Sequence, residues 1–295
     1  MRIAVTGSSG KLGRAVVDHL TGAGHEVTGF DLTGPQGSHA TRVDLADYGQ
    51  ILDALLGVTA RHSGLDALVH LAAIPVNGLV PDVTTFHVNM AVSFNVLFAA
   101  RRAGIRHIVT ASSITAMGFP FDEAPPALPV DETFTAANNT YGLVKVLEEA
   151  MAAQFVRWDP ELSLTALRFT NIVGAGEYST FHRAGDPGYR RDLIGSYVDV
   201  RDAALGVSLA LDAAAPGFET YTISAADSGL DIPSPELAAL WFPGVPVAAG
   251  FGARDPLLSI EKARRHLGYE PQHDWRTELH RSGGAVEAPS SRRIG

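Results

Sequence analysis

The stretch Thr6-Gly7-Ser8-Ser9-Gly10-Lys11-Leu12-Gly13 sets three glycines between a short apolar run and a helix-patterned segment. A glycine-rich turn from a strand into a helix lets backbone N–H groups approach a phosphate at the helix N-terminus. Gly7 would allow the sharp turn, Gly10 would admit a pyrophosphate, and Gly13 would let helix and strand pack closely. The stretch therefore predicts a dinucleotide-binding unit.

Short β-branched runs alternate with helix-patterned segments through the first two thirds of the chain. Strands are predicted at residues 3–5, 26–30, 42–43, 67–71, 107–111 and 164–169, and helices at 12–23, 48–57, 84–103 and 141–155. This order predicts an α/β, Rossmann-type doubly wound parallel sheet. A helix at 200–214, a proline-rich stretch at 233–256 and a short helix at 260–267 predict a small C-terminal substrate lobe. We expect an NAD-binding Rossmann domain over 1–170, a segment over 171–281 that completes the sheet and forms the lobe, and a flexible tail over 282–295.

Composition excludes several classes of function. A chain of 295 residues with 46% hydrophobic residues can bury one large core, and its net charge of -9 argues against nucleic acid as a partner. The absence of cysteine excludes thiolate metal sites, and the 11 histidines form no ligand pattern, so no metal is expected. With no signal-peptide pattern and no apolar run of about 20 residues, we expect a cytoplasmic protein without a membrane partner.

Two acidic residues follow predicted strands near the glycine loop. Asp31 ends the second strand, where a carboxylate accepts hydrogen bonds from both adenosine ribose hydroxyls and repels a 2′-phosphate, which favours NAD over NADP. Arg14 would oppose that preference unless it is a solvated first-turn residue. Asp44 follows the third strand, and it either reaches the adenine or caps the helix that begins near Tyr48.

Tyr141 and Lys145 lie four residues apart in a predicted helix, so their side chains leave the same face. A phenol titrates near pH ~10 in water, and a nearby ammonium favours the phenolate. The pair predicts that Tyr141 acts as a general base, with a pKa brought toward neutrality by Lys145.

Further motifs occur in a fixed order with these residues. They are His70-Leu-Ala-Ala73, Asn89, Ser112-Ser113, Arg168-Phe-Thr-Asn171-Ile-Val-Gly174 and Tyr197-Val-Asp-Val-Arg-Asp202. Up to about Pro271, the whole set resembles the extended short-chain dehydrogenase/reductase family, also called NAD-dependent epimerase/dehydratases. The resemblance implies that Ser113, with Ser112 as its near rival, joins Tyr141 and Lys145 in catalysis, that Lys145 also binds the nicotinamide ribose, and that the protein is a homodimer.

The resemblance also implies the ligand contacts. Cofactor contacts are expected from Gly7, Ser9, Gly10, Lys11, Leu12, Gly13, Asp31, Asp44, Leu45, Leu71, Ala72, Ala73, Asn89, Tyr141 and Lys145, and substrate contacts from Ile74, Ser113, Thr115, Asn171 and Arg183. Asn89 either steadies the Lys145 region or bonds backbone. Arg183 or Arg190 would meet a substrate anion unless both are solvated loop residues. The proline-containing loop at 119–131 either walls the pocket or connects two elements.

The expected function is NAD-dependent oxidation of a hydroxyl in a sugar or sugar acid. The compact lobe suggests a compact substrate, and the uronate-dehydrogenase-like branch of the family is the nearest general resemblance. Relatives often carry an aromatic residue in place of Met117 and an aromatic-Gly-Pro in place of Val173-Gly174-Ala175. The alternatives are a nucleotide-sugar epimerase or dehydratase, and a non-catalytic dinucleotide sensor on the same fold.

Overall fold

A computed structural model describes residues 1–33, 40–58, 62–120, 122–284 and 286. The strands are β1 (Arg2–Thr6), β2 (Glu26–Asp31), β3 (Ala40–Arg42), β4 (Ala67–His70), β5 (His107–Ser113), β6 (Ser163–Phe169), β7 (Ile172–Val173), β8 (Val198–Asp199) and β9 (Gly217–Ile223). The α-helices are α1 (Lys11–Gly22), α2 (Tyr48–Leu55), α3 (Asp82–Arg102), α4 (Thr140–Trp158), α5 (Val200–Asp212), α6 (Ser234–Trp241), α7 (Glu261–Leu267) and α8 (Trp275–Arg281).

Seven strands form one parallel sheet in the order β3-β2-β1-β4-β5-β6-β9, and β7 pairs with β8 outside it. The order reverses between β1 and β4, so the crevice at that point lies outside the carboxyl ends of the strands, where such folds bind ligands. The predicted doubly wound α/β fold is confirmed.

Helices cover both faces of the sheet, and each face has its own apolar core. Ile3 and Val5 of β1 pack in the core that α1, α5 and α7 share, while Ala4 between them packs with α2, α3 and α4. Successive side chains of a strand point to opposite faces, so a strand in a doubly covered sheet is apolar on both.

Helix α3 is long and apolar enough to cross a bilayer by length and composition alone. It packs against α2, α4 and β4, and Val92, Val96 and Leu97 lie in the core beneath it. These contacts are those of a core helix in a globular protein.

The lobe has a third apolar core, and the loop at 119–131 is part of it. Leu128 and Val130 are buried there with Trp241 and Leu258. The Leu128 N–H donates to the Pro246 carbonyl at 2.9 Å, and the Val130 N–H donates to that of Leu257 at 2.9 Å. Of the two alternatives for this loop, the one in which it only connects two elements is therefore wrong.

The sequence-based assignment missed five elements, namely β7, β8, β9, α6 and α8. Strand β9 carries Glu219 and two threonines, which interrupt its apolar pattern, yet it pairs with β6 along its whole length. Helix α6 starts inside the proline-rich stretch, because proline is well tolerated in the first helical turn. Helix α8 was not predicted. Most of the predicted tail, 285 and 287–295, lies outside the described residues.

Candidate active site

The glycine loop is built for close backbone approach. Gly7 has a φ of 69°, and a Cβ there would lie 2.7 Å from the Ala72 nitrogen, while a Cβ on Gly13 would lie 2.0 Å from the Gly7 carbonyl oxygen. Helix α1 begins after Gly10 with no side-chain cap, so its first N–H groups need an outside acceptor. The hydroxyls of Ser8 and Ser9 are buried without a partner in the described structure. This cradle fits a dinucleotide pyrophosphate.

Asp31 stands at the end of β2, against the glycine loop. Its carboxylate accepts the Ser9 N–H at 2.9 Å and the Thr33 N–H at 3.1 Å. Arg14 donates to the Ser9 carbonyl from an exposed position on α1, so it braces the loop. Lys11 reaches from the loop to Glu177 and to the Ile172 carbonyl, and thereby bridges to the segment after β7.

Asp44 accepts the Ala46 N–H at 2.9 Å. Helix α2 is capped by Asp47, which accepts the N–H groups of Gly49 at 2.8 Å and of Gln50 at 3.2 Å. Of the two alternatives for Asp44, the one in which it caps this helix is therefore wrong. Leu45 is buried in the core beneath the sheet edge.

The carboxyl end of β4 adjoins the glycine loop. The Leu71 N–H donates to the Thr6 carbonyl at 3.2 Å, and the backbone of Ala72 lies against Gly7. Beyond Ala73, Asn89 of α3 accepts the Ile74 N–H at 2.8 Å and donates to its carbonyl at 3.1 Å. Asn89 thus fixes the loop after β4, and the alternative in which it steadies Lys145 is wrong.

Ser113, Tyr141 and Lys145 come together at the carboxyl end of β5. The Lys145 Nζ lies 5.5 Å from the centre of the Tyr141 ring, and Ser113 is close enough to the phenol to lower its pKa. Ser112 instead donates to Glu149 at 2.6 Å. Of the two serines, Ser113 is the one that acts on the Tyr141 phenol, where it lowers the pKa of the phenol.

Close packing of α4 on the 3₁₀ helix Ile114–Met117 sets this geometry. A Cβ on Gly142 would lie 2.5 Å from the Thr115 carbonyl oxygen. Thr115 therefore touches the first turn of α4, and its own hydroxyl is buried without a partner in the described structure. A glycine beside Tyr141 is what allows α4 to lie this close to the 3₁₀ helix.

Burial controls the pKa of the phenol. Burial is the largest influence on the pKa of Tyr141 and raises it. The Glu148 carboxylate also raises this pKa, whereas the Lys145 ammonium and the Ser113 hydroxyl lower it. Burial alone would lower the pKa of Lys145, but Glu148 and Tyr141 raise it above its ordinary value. The expectation that Lys145 brings the pKa of Tyr141 toward neutrality is wrong, because desolvation of the phenolate outweighs the ammonium.

Two consecutive glutamates of α4 carry buried ion pairs that the sequence analysis missed. Glu148 pairs with Lys145 at 2.8 Å. The Glu149 carboxylate accepts two hydrogen bonds from Arg168, one from Nε at 2.9 Å and one from Nη2 at 2.8 Å. The Nη1 of the same guanidinium donates to the Glu132 carbonyl at 3.0 Å. The i,i+3 spacing of Lys145 and Glu148 was the available signal.

On the substrate side, Asn171 follows β6 and meets Arg190. The Arg190 guanidinium donates to the Asn171 Oδ1 at 2.8 Å and lies 4.9 Å from the centre of the Phe181 ring. Arg183 pairs with Asp186 at 3.1 Å, with both side chains about half exposed. Of the two candidate arginines, Arg190 is the one at the edge of the sheet.

A Rossmann sheet with a dinucleotide cradle beside a buried tyrosine–lysine pair defines a dinucleotide-dependent enzyme of the short-chain dehydrogenase/reductase type. The family model for the NAD dependent epimerase/dehydratase family matches residues 3–193. The chain belongs to this family, and the resemblance drawn from its motifs is confirmed.

Individual relatives differ in activity. UDP-glucose 4-epimerase of Corynebacterium glutamicum is 25% identical over 94% of this chain and 93% of that protein. 2-Alkyl-3-oxoalkanoate reductase of Stenotrophomonas maltophilia is 32% identical over 92% of this chain and 95% of that protein. The chain spans about half the length of other UDP-glucose 4-epimerases, such as that of Bacillus subtilis (29% identity, 59% of this chain, 54% of that protein).

A solved structure agrees with the fold along nearly its whole length. A short-chain dehydrogenase/reductase superfamily protein of Agrobacterium tumefaciens, crystallised with bound NAD, superimposes with a TM-score of 0.70 at 26% identity and covers 96% of each chain. The NAD-dependent class of enzyme, expected from the motifs, is confirmed.

Proposed function

We propose that the protein is an NAD-dependent oxidoreductase that oxidises a hydroxyl of a compact sugar or sugar acid. The observation that carries the proposal is the buried Tyr141 phenol at the carboxyl edge of the sheet, with the Lys145 ammonium 5.5 Å from its ring and Ser113 beside it. A base, a cation and a hydroxyl on one edge supply what removal of an alcohol proton needs.

Each residue of the set has a separate task. The Ser113 hydroxyl orients the substrate oxygen by a hydrogen bond, and the Tyr141 phenolate takes the proton of the substrate hydroxyl. The Lys145 ammonium stabilises the phenolate until it receives that proton. When bound, the nicotinamide supplies the hydride acceptor. The turnover rate should rise about tenfold per pH unit below the pKa of Tyr141, because only the phenolate accepts a proton.

Asp31 supports NAD over NADP. Its carboxylate lies at the strand end beside the glycine loop, where it can accept two ribose hydroxyls and would repel a 2′-phosphate. Gly7, Gly10 and the N-terminus of α1 would hold the pyrophosphate. Leu71 to Ala73 would line the nicotinamide side.

Arg190 and Asn171 support a compact substrate with one anionic group. The guanidinium is held at 2.8 Å from both the Asn171 Oδ1 and the Ser196 carbonyl, over the Phe181 ring. The Nε–H and the two Nη2 hydrogens of Arg190 already have protein acceptors, so a substrate carboxylate or phosphate would meet the guanidinium at Nη1 by a charge-assisted hydrogen bond. A sugar acid of the uronate type meets this description.

A nucleotide-sugar epimerase is the second candidate. It is favoured by the alignment with UDP-glucose 4-epimerase of Corynebacterium glutamicum over 94% of this chain. Both reactions begin with loss of an alcohol proton to Tyr141, and they differ in whether the hydride returns to the same substrate.

Cofactor turnover separates the candidates. Aldoses, uronates and nucleotide sugars are first screened for thermal stabilisation with NAD present, because a bound ligand stabilises by mass action. Each hit is then incubated with NAD while NADH absorbance and products are followed. NADH that accumulates in step with an oxidised product supports the oxidoreductase. Product without net NADH supports the epimerase, and NAD binding without product from any hit contradicts both.

We also propose a homodimer, with α3 and α4 facing the second copy. Both helices expose large apolar side chains on their outer faces, namely Val83, Phe94, Leu143 and Trp158. Light scattering after gel filtration should give twice the chain mass of 31.2 kDa. Phe94→Glu should shift the mass to that of a monomer. A cytoplasmic location stays a prediction.

A further inference from the structure

A chain of buried polar side chains runs from the glycine loop to the Tyr141–Lys145 pair. The Thr6 hydroxyl lies 2.7 Å from the His70 Nδ1, and the His70 Nε2 lies 3.3 Å from the Ser93 hydroxyl. Ser93 donates to one oxygen of Glu148 at 2.6 Å, and Lys145 donates to the other at 2.8 Å. Both oxygens of the Glu148 carboxylate therefore have donors.

The protons of this chain point in one direction. Ser93 has a single hydroxyl proton and donates it to Glu148, so its oxygen accepts the Nε2–H of His70. The Nδ1 of His70 then accepts the Thr6 hydroxyl. Burial, followed by the Lys145 charge, lowers the pKa of His70 to about 3, so this ring is neutral. The charged groups in this series of hydrogen-bonded side chains are the Glu148 carboxylate and the Lys145 ammonium.

Lys145 is held on the side of α4 that faces β5. Its Nζ donates to the Ala111 carbonyl at 2.9 Å and to Glu148 at 2.8 Å. Both distances are much shorter than the 5.5 Å from the Nζ to the centre of the Tyr141 ring. The nearest charge to the ammonium is therefore a carboxylate.

We propose that Glu148 is a positioning residue for the Tyr141–Lys145 pair: it holds the Lys145 ammonium against β5 and cancels part of the positive charge that Tyr141 experiences. This inference rests on the proposed role of Tyr141 as the general base. It adds a residue that acts through Lys145.

Other groups near the pair do not replace Glu148. Those that face it from the packed elements are His70 on β4, Ser93 on α3, Ser113 on β5, Arg168 on β6 and Glu149 on α4. Arg168 and Glu149 form their own ion pair at 2.8 Å, so their charges largely cancel at a distance. The serines are uncharged. Glu148 is thus the main carboxylate that offsets Lys145, and Glu149 adds a smaller contribution of the same sign.

The electrostatics agree with this geometry. Burial raises the pKa of the Tyr141 phenol, the Lys145 ammonium opposes that rise, and the Glu148 carboxylate adds to it. Loss of the carboxylate would also lower the pKa of Lys145. Over the pH range in which Lys145 stays protonated, the ammonium would act on the phenol with less opposition, and the phenolate would form at lower pH.

The test replaces the carboxylate by an amide of the same shape. For Glu148→Gln, we expect the acid limb of the pH profile of kcat to move to lower pH by about one pH unit. Glu148→Asp keeps the charge and should stay closer to the wild type. The matched control is Glu161→Gln on the surface, where Glu161 pairs with Arg106, and its profile should not move. An acid limb at the same pH in Glu148→Gln and wild type overturns the inference.

A second measurement needs no turnover. The titration of Tyr141 alone is obtained by subtracting the ultraviolet titration curve of a variant with Tyr141→Phe from that of the same protein with Tyr141. This difference curve should shift to lower pH in Glu148→Gln. If the wild type shows no turnover but Glu148→Gln still shifts the titration of Tyr141, the proposed function is contradicted and the effect of Glu148 on the phenol stands. An unshifted titration in an active enzyme would overturn the role of Glu148 alone.

The wild type alone also tests the inference if Glu148→Gln does not fold. Tyr141 of the ligand-free wild type should titrate above the ordinary phenol value of about 10. Titration near neutrality would show that Lys145 acts on the phenol unopposed, and that outcome contradicts the role of Glu148.

Discussion

The proposed cofactor region and the proposed substrate region lie on the same edge of one sheet, but they are built in different ways. The cofactor region, Thr6 to Asp31, is one short stretch of chain whose contacts are mostly with backbone atoms. The substrate region gathers Asn171, Phe181 and Arg190 with Trp275 of α8, whose ring stacks on Phe181 at 5.7 Å. One region depends on glycines and the other on packed side chains.

This difference predicts which property of the protein a mutation in each region should weaken. A change in the glycine loop should affect cofactor affinity and folding together, because the same backbone serves both. A change at Arg190 should affect the substrate and leave the cofactor unaffected. Tyr141, which stands between the two regions, should affect neither affinity.

The largest effect is expected from Tyr141→Phe. Loss of the general base should lower kcat by about 10²–10⁴-fold, while the Kd for NAD changes by less than about twofold. Steady-state kinetics and NAD titration measure the two quantities. Tyr221→Phe, in which the hydroxyl is lost beside α7, is the matched control. Undiminished turnover in Tyr141→Phe would end the proposed role of the phenol.

The second effect concerns the cofactor region. Gly13→Ala would force a Cβ to within 2.0 Å of the Gly7 carbonyl oxygen, and such overpacking costs about 1–3 kcal/mol. We expect weaker NAD binding together with a lower melting temperature. Gly22→Ala is the control on the same helix, because a Cβ there meets no atom within 4 Å. A variant that loses stability but binds NAD normally would separate two properties that we expect to fail together.

The third effect concerns the substrate region. Arg190→Lys keeps the charge but loses the planar fork, and loss of one charge-assisted hydrogen bond of about 1.5 kcal/mol raises KM roughly tenfold. NAD affinity should not change. Arg191→Lys, at the exposed neighbouring position, is the control for a general effect of the substitution. An equal loss of NAD affinity would mean that Arg190 serves both regions.

The smallest effect is expected from Asp31→Ala. Loss of the ribose hydrogen bonds, at about 1 kcal/mol, should weaken NAD binding roughly fivefold, while NADP binding weakens less or improves. Titrations with both cofactors give the ratio. Asp18→Ala, an exposed change on α1, should leave it unchanged. Equal weakening of NAD and NADP would remove the argument for cofactor preference.

The same contrast explains what the sequence could predict. The glycine loop, Asp31 and the Tyr141–Lys145 spacing are local patterns, and their elements were predicted to within a few residues. The contact of Arg190 with Asn171 joins residues 19 positions apart in an irregular segment. No periodic pattern in the sequence predicts such a contact. Asp44 and Asp47 are both plausible caps by type, and only the path of the chain after β3 selects Asp47.

Strand β9 has a practical consequence for anyone who wishes to isolate the cofactor domain. All seven residues of β6 are buried, and β9, at residues 217–223, pairs with each of them. A fragment ending at residue 170 would leave β6 as an unpaired apolar edge, which is a template for aggregation. A usable fragment must therefore carry the segment 217–223 as well, joined to the end of β6 by a linker long enough for a parallel crossover.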